Sequence, residues 1–214
     1  MLGGGYLERT QGTKNQKIKR IVDKAWELIA KNGYEETKVE DITRELGISK
    51  GSFYTYFETK DELLYEILEK LKMEILEYLK KINVNQTPTK ILEDYVKTKM
   101  NHAVKMLNNM KLDGVEKNLN NLKLRDFFEE VRKISVDFIK TNIVDKFNME
   151  NGNKYKAEII SEFILISIEE FLYDEFILKN FKNIKDDDII NIKNTDKIEN
   201  SLKEIIKFIN NALK

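Results

Sequence analysis

The densest chemistry in this 214-residue chain lies between Thr37 and Lys60, where hydroxyl, cationic and very small side chains stand among aromatic ones. Ser49-Lys50-Gly51-Ser52 opens a segment that continues Phe53-Tyr54-Thr55-Tyr56-Phe57. Gly51 and Ser52 are small, so a backbone entering a helix there can approach base edges and phosphates closely, assisted by the positive helix end. Lys50 adds a cation. Tyr54 and Tyr56 carry phenolic hydroxyls able to donate to phosphates, contacts that fix register without specifying sequence. Thr37 and Lys60 stand at the starts of adjoining helices and can clamp a nucleic-acid backbone from either side, while Thr43 and Arg44 lie on the helix between them. Thr37 and Thr59 can equally be structural N-caps, worth about 1 kcal/mol each. Phe53 and Phe57 are expected inside.

The elements that must position these groups follow from periodicity and caps. Residues 1–13 lack periodicity and are expected to form a flexible arm. From Ile18 the apolar residues Ile21, Val22, Ala25, Trp26 and Ile29 recur at helical spacing, and Asn32-Gly33 supplies a stop. Thr37-Lys38-Val39-Glu40 has the pattern of a capping box, and Gly47 ends the short helix it opens. Ser49 caps a second short helix running through Phe57. Two short helices joined by a tight glycine turn form a helix-turn-helix, whose second member enters the major groove. Thr59-Lys60-Asp61-Glu62 then starts a long helix to about Ile82, and Thr87-Pro88 starts another to about Met110. Residues 111–123 read as irregular or briefly helical, 124–148 and 155–181 as two further helices, 183–194 as a polar loop, and Asp196-Lys197-Ile198-Glu199 as the cap of a final helix.

The run from Val39 to Leu64, with its glycine turn, Ser-Lys-Gly-Ser, Tyr-x-Tyr-Phe and Lys-Asp-Glu-Leu-Leu in order, closely resembles the DNA-binding signature of TetR-family regulators. The resemblance spans roughly residues 15–64; beyond that it is one of length and helical layout only. It implies an all-α fold with a flexible arm at 1–13, a three-helix helix-turn-helix domain at 14–60 and a helical effector-binding and dimerisation domain at 61–214. It also implies a DNA contact set of Thr37, Thr43, Arg44, Ser49, Lys50, Gly51, Ser52, Tyr54, Tyr56 and Lys60. The function implied is a repressor, homodimeric on a palindromic double-stranded operator and released by a small apolar or amphipathic effector.

In the second half, Leu92, Val96, Ala103, Met106, Leu107 and Met110 form a helical stripe with Lys99 near its middle. Lys99, with Tyr95 and the single histidine His102 at the stripe's edge, is expected to line an effector pocket, with Phe128 and Phe163 among its walls. The alternative is that Lys99 snorkels or pairs with a carboxylate. The helix around Phe163–Ile168 is apolar over much of its circumference, and Ile164, Ile168 and Phe171, packed with Ile198, Leu202, Ile205 and Ile209, are expected to form an isologous four-helix dimer interface. A fully buried central helix in a monomer is the competing reading.

Composition constrains the rest. Hydrophobic residues at 41% and charged residues at 35% are a globular balance, and one proline with nine glycines is too few turn residues for an all-β fold. Lys plus Arg equals Asp plus Glu, 37 each, so distribution rather than net charge bears on nucleic acid. Lys14, Lys17, Lys19, Arg20 and Lys24 face only Asp23 over one stretch, a basic segment or simply a solvated helix face. Without cysteine, and lacking a Glu-x-x-His pair, a Gly-x-Gly or a P-loop, the chain is not expected to be an enzyme or to hold a metal or other cofactor. Glu169, Glu170 and Asp174, and the run Asp186-Asp187-Asp188, read as solvated surface. No apolar run approaches the roughly 20 residues of a membrane span, and the absence of cysteine is compatible with a reducing cytoplasm, the expected location. An adaptor binding protein through its apolar helices remains the other class to separate by experiment.

Overall fold

The helical periodicity that begins at Ile18 belongs to a longer first helix than expected. The computed structural model describes residues 4–107, 121–152, 156–174 and 195–213. Its elements are α1 (Gly4–Asn32), α2 (Val39–Leu46), α3 (Lys50–Tyr54), α4 (Lys60–Lys80), α5 (Pro88–Leu107), α6 (Leu122–Ile139), a π-helical turn (Lys140–Val144), α7 (Asp145–Asn151), α8 (Ala157–Tyr173) and α9 (Thr195–Leu213). There is no strand among the described residues. The segment read as a flexible arm is therefore helical from Gly4: once a helix is nucleated, each added residue costs little, and no proline interrupts the extension. Of the stretch 111–123 expected to be irregular or briefly helical, 111–120 lie outside the described residues and α6 already begins at Leu122; the end of the helix drawn to Phe181, the loop at 183–194 and Asp186–Asp188 lie outside the described residues too.

Local signals act where the residue types place them, with two shifts. Gly33 takes φ +88° and its N–H bonds the Ile29 carbonyl at 2.8 Å, closing α1. The capping position of α2 is Lys38, whose N–H donates to Asp41 Oδ2 at 3.2 Å. Thr37 lies one residue too early to cap, and its hydroxyl donates to the Gly33 carbonyl at 2.8 Å. Gly47 ends α2 in the left-handed conformation at φ +65°, which any side chain would strain. Ser49 caps α3 by accepting from the Ser52 N–H at 3.1 Å, but the helix ends at Tyr54 rather than at Phe57. Thr59 caps α4 by accepting from the Glu62 N–H at 3.0 Å, while the Glu62 carboxylate takes the Glu58 N–H at 2.6 Å.

Two hydrophobic clusters organise the chain. The first packs Ile21, Ala25 and Ile29 of α1 against Ile42, Phe53, Phe57 and α4 residues Leu63, Leu64, Ile67 and Leu71, and takes in Leu124 and Phe127 of α6. The second gathers α5 (Ile91, Leu92, Tyr95, Val96, Met100), the π turn, α8 and α9. Trp26 packs against both. The packing does not break at residue 60: the first three turns of α4 belong to the reader's core, and α6 reaches into it.

Five residues assigned to a dimer interface are spent inside the protomer. Ile164, Ile168, Ile198, Leu202 and Ile209 are each at most 5% exposed in the second cluster, and Phe171 and Ile205 pack half-buried against it. The physical reason is that α8 is apolar on two faces. Ala157, Ser161, Ile164, Leu165, Ile168 and Leu172 point inward, while Ile159, Phe163, Ile166 and Tyr173 form the opposite stripe and are exposed. A sequence window cannot say which of two apolar faces is turned inward.

Candidate functional site

The helix-turn-helix brings most of the expected contact residues onto one outward surface. Ser49, Lys50, Gly51 and Tyr54 are exposed, and Ser52 and Tyr56 are half-buried beside them. Phe53, wholly buried, and Phe57, at 2% exposure, anchor the turn from beneath; the Phe53 ring meets Tyr54 edge-on at 5.3 Å between centroids and Phe57 at 5.6 Å. That packing leaves the Tyr54 phenol outside. A Cβ built on Gly51 meets only Ser49 Oγ, at 3.8 Å. The fold itself has no need of glycine there, so the missing side chain matters only to something approaching from outside.

The cations are held, not loose. Lys50 donates to Glu40, whose carboxyl is thereby kept below its ordinary range. Arg44 donates to Asp41 at 2.7 Å, and Asp41 is lowered first by the Lys38 N–H and then by Arg44. Both pairs are exposed and can exchange partners with a phosphate at little cost.

Three expected contacts are not available. Thr37 is 1% exposed, its hydroxyl engaged by Gly33, and Thr43 is 4% exposed, its hydroxyl donating to the Glu40 carbonyl at 3.1 Å. Lys60 turns inward, donating to the carbonyls of Tyr34 at 2.8 Å and Thr37 at 3.1 Å with its ammonium 4.0 Å above the Tyr34 ring. In all three, a carbonyl within the folded domain engages the side chain before any ligand can. Conversely, Lys17 and Arg20 of α1 join Ser52 and Tyr56 around a shallow cavity of about 100 Å³ floored by Ile21, Leu46 and Ile48. The basic run on α1 was their only signal; its placement beside α3 is a tertiary fact.

A second site lies between the two clusters. A cavity of about 180 Å³ is bounded by Leu71, Ile75 and Leu79 of α4, Tyr95, Lys99 and His102 of α5, Phe127, Phe128, Val131 and Ser135 of α6, and Glu169 of α8. Of the expected pocket residues, Tyr95, Lys99, His102 and Phe128 come together here. Phe163 does not: it is 54% exposed on the outer stripe of α8. Lys99 is paired with Glu169 Oε1 at 2.5 Å, and Arg132 Nη1 stands 3.6 Å from Glu169 Oε2. The pairing and the cavity position, posed as alternatives, are both realised. Burial pushes the Tyr95 phenol up; its hydroxyl is enclosed beside Ser135 and Lys99 without a well-aligned hydrogen bond. Burial likewise pushes His102 below the ordinary histidine value, and its ring meets Tyr78 at 5.1 Å. A larger depression of about 650 Å³ between α5 and α9 is walled mainly by lysines, carboxylates and asparagines. The smaller cavity is the more apolar of the two and carries a few convergent polar groups, the lining composition of small-molecule sites.

Among the described residues no three His, Asp or Glu side chains gather as metal ligands, and no helix is long and apolar enough to cross a membrane.

Comparison with known proteins places this geometry. The family model described as bacterial regulatory proteins, tetR family, matches residues 21–67. The uncharacterized HTH-type transcriptional regulator YuxN of Bacillus subtilis (strain 168) is 45% identical over 53 residues, a match covering 25% of this chain and 18% of that protein. The chain thus spans under a fifth of that relative. Two crystal structures share the whole fold. A TetR/AcrR-family transcriptional regulator from Aquifex aeolicus VF5 is 24% identical with TM-score 0.62, covering 90% of this chain and 98% of the other. The regulator FadR from Bacillus subtilis, in complex with stearoyl-CoA, is 21% identical with TM-score 0.64, covering 87% and 96%. Residues 21–67 thus match the helix-turn-helix of tetR-family regulators, and they are carried on an all-helical fold that these solved regulators share. These relatives are transcriptional regulators, a class without enzymatic activity.

Proposed function

We propose that the protein is a DNA-binding transcriptional repressor that reads a palindromic operator as a homodimer and is released by a small-molecule effector. The observation that carries the reading is the outward surface on which Ser49, Gly51, Ser52, Tyr54 and Tyr56 are flanked by Lys17, Arg20 and Lys50, with a glycine that the fold does not require. Small groups for close approach, phenols for phosphates and cations at the rim are what groove readout needs.

Dimerisation rests on the outer stripe of α8, Ile159, Phe163, Ile166 and Tyr173, together with Phe208 of α9, which is 66% exposed. Exposed large apolar side chains in such a stripe mark a protein interface, and a two-fold copy would bury them isologously. A Phe163→Glu, Phe208→Glu variant is expected to sediment as a monomer.

Effector release is supported by shared walls. Leu71 and Phe127 belong both to the reader's core and to the cavity of about 180 Å³. The start of α6 is also tied to the reader, Lys123 to Asp61 at 2.5 Å and Asn121 Nδ2 to Glu35 at 3.1 Å. A molecule that parts α4 from α6 therefore re-aims the helix-turn-helix. FadR holds stearoyl-CoA, but a cavity of this size lies below the roughly 300–1,000 Å³ of drug-sized sites, so a long acyl thioester does not fit this state.

The test is titration of the full chain against DNA flanking its own gene, beside a scrambled duplex, at two salt concentrations. Preferential, salt-sensitive binding that weakens in a Tyr54→Phe, Tyr56→Phe variant is expected. Absence of binding to either duplex would move the assignment to a protein-binding adaptor.

A further inference from the structure

The cavity between α4, α5, α6 and α8 is lined mainly by apolar and aromatic side chains, and the polar groups around Lys99 are mainly donors. Lys99 brings an ammonium, Tyr95 a buried hydroxyl without a well-aligned hydrogen bond, and Ser135 a second hydroxyl. The single anionic group there is Glu169, which Lys99 holds at 2.5 Å.

Glu169 has a second cation in reach, since Arg132 stands 3.6 Å from its other oxygen while also pairing with Glu162 at 3.2 Å. Among the described residues Lys99 has no second carboxylate within ion-pair distance, only the Tyr95 ring 6.0 Å away. The two members of the pair are therefore unequal toward an incoming charge. An anion that takes Lys99 leaves Glu169 still paired with Arg132 and gives the Tyr95 hydroxyl an acceptor. A cation that takes Glu169 leaves Lys99, a half-buried ammonium, without a counter-charge, which costs more than the new pair returns.

The volume sets the size. A dry cavity of about 150 Å³ accommodates one benzene ring, so about 180 Å³ holds a single ring with a short arm or a chain of roughly eight carbons.

We infer that the effector of this site is a small monoanionic amphiphile, a carboxylate on one aromatic ring or a medium-length chain, whose head group replaces Glu169 on Lys99. The inference rests on the proposal that this cavity is the effector site, and the experiment separates the two.

Calorimetric titration of the full-length protein uses four probes of matched size: phenylacetate, octanoate, 2-phenylethanol and phenethylamine. Both carboxylates are expected to bind and the amine not to. Removing the internal competitor by Glu169→Gln is expected to tighten the carboxylates about tenfold or more, the scale of one charge-assisted hydrogen bond. A damaged fold could only weaken them. Lys99→Met is expected to loosen the carboxylates by a similar factor and to leave the alcohol unchanged. Equal or tighter binding of the amine, no tightening in Glu169→Gln, or no carboxylate binding overturns the inference. The cavity as an effector site is judged separately by Val131→Phe, which narrows it. If the alcohol binds the wild type and is lost in that variant while the carboxylates never bind, the site stands and the anionic class fails. Carboxylate binding that survives Val131→Phe places the ligand elsewhere and overturns both.

Discussion

Replacing Lys17 and Arg20 by glutamine should change how operator binding depends on salt, not merely how tight it is. Both side chains project from α1 beside Ser52 and Tyr56 and form no ion pair among the described residues, so each is available to a phosphate. If each neutralises one phosphate, a dimer loses four contacts. At about 0.9 per phosphate, the slope of log K against log salt falls by about 3.6, so between about 50 and about 200 mM salt the wild type loses about two orders of magnitude more affinity than the variant. Fluorescence anisotropy of a labelled operator across that range measures both slopes. Lys60→Gln is the control. Its ammonium is consumed by the Tyr34 and Thr37 carbonyls, so it should leave the slope unchanged and cost about 2 kcal/mol of stability. If the double variant kept the wild-type slope while Lys60→Gln lowered it, the arrangement of cations around α3 argued above would be wrong.

Gly51→Ala should leave thermal stability intact, because its Cβ meets nothing closer than 3.8 Å, yet weaken operator binding at least tenfold in a mobility shift. Unaltered affinity would show that the backbone there does not approach DNA. Thr37→Val should lower stability by about 1–2 kcal/mol in urea melts by orphaning a buried carbonyl contact, with no effect on the salt slope. For His102, burial lowers the folded pKa below the ordinary 6.5. The unfolded chain therefore takes up a proton first, and the stability this histidine permits above 6.5 is lost as pH falls through its depressed folded value. His102→Gln should accordingly flatten the decline in stability below pH 6.5, read from urea melts at a series of pH values; an unchanged decline would assign it to other groups.

What the sequence determined by itself was everything written in neighbouring residues. Gly33 and Gly47 as helix stops, Ser49 and Thr59 as caps and Pro88 opening a helix are local chemistry, and each acts at its expected place. The capping of α2 was displaced by one residue, because Thr37 and Lys38 both precede the helix and only the backbone geometry decides which one caps it.

Tertiary structure decided which groups are left over. Thr37, Thr43 and Lys60 are polar and well placed in sequence, but carbonyls within the folded domain engage them, and Lys17 and Arg20 become part of the site only because α1 packs beside α3. Lys99 finds its partner 70 residues away on α8, a pairing that no local window contains. The same holds for α8, whose two apolar stripes are equivalent in sequence. Only packing against α6, the π turn, α5 and α9 chose Ile164 and Ile168 for the core and left Phe163 outside, because burial depends on what the rest of the chain brings to each face, and periodicity records only that a face is apolar.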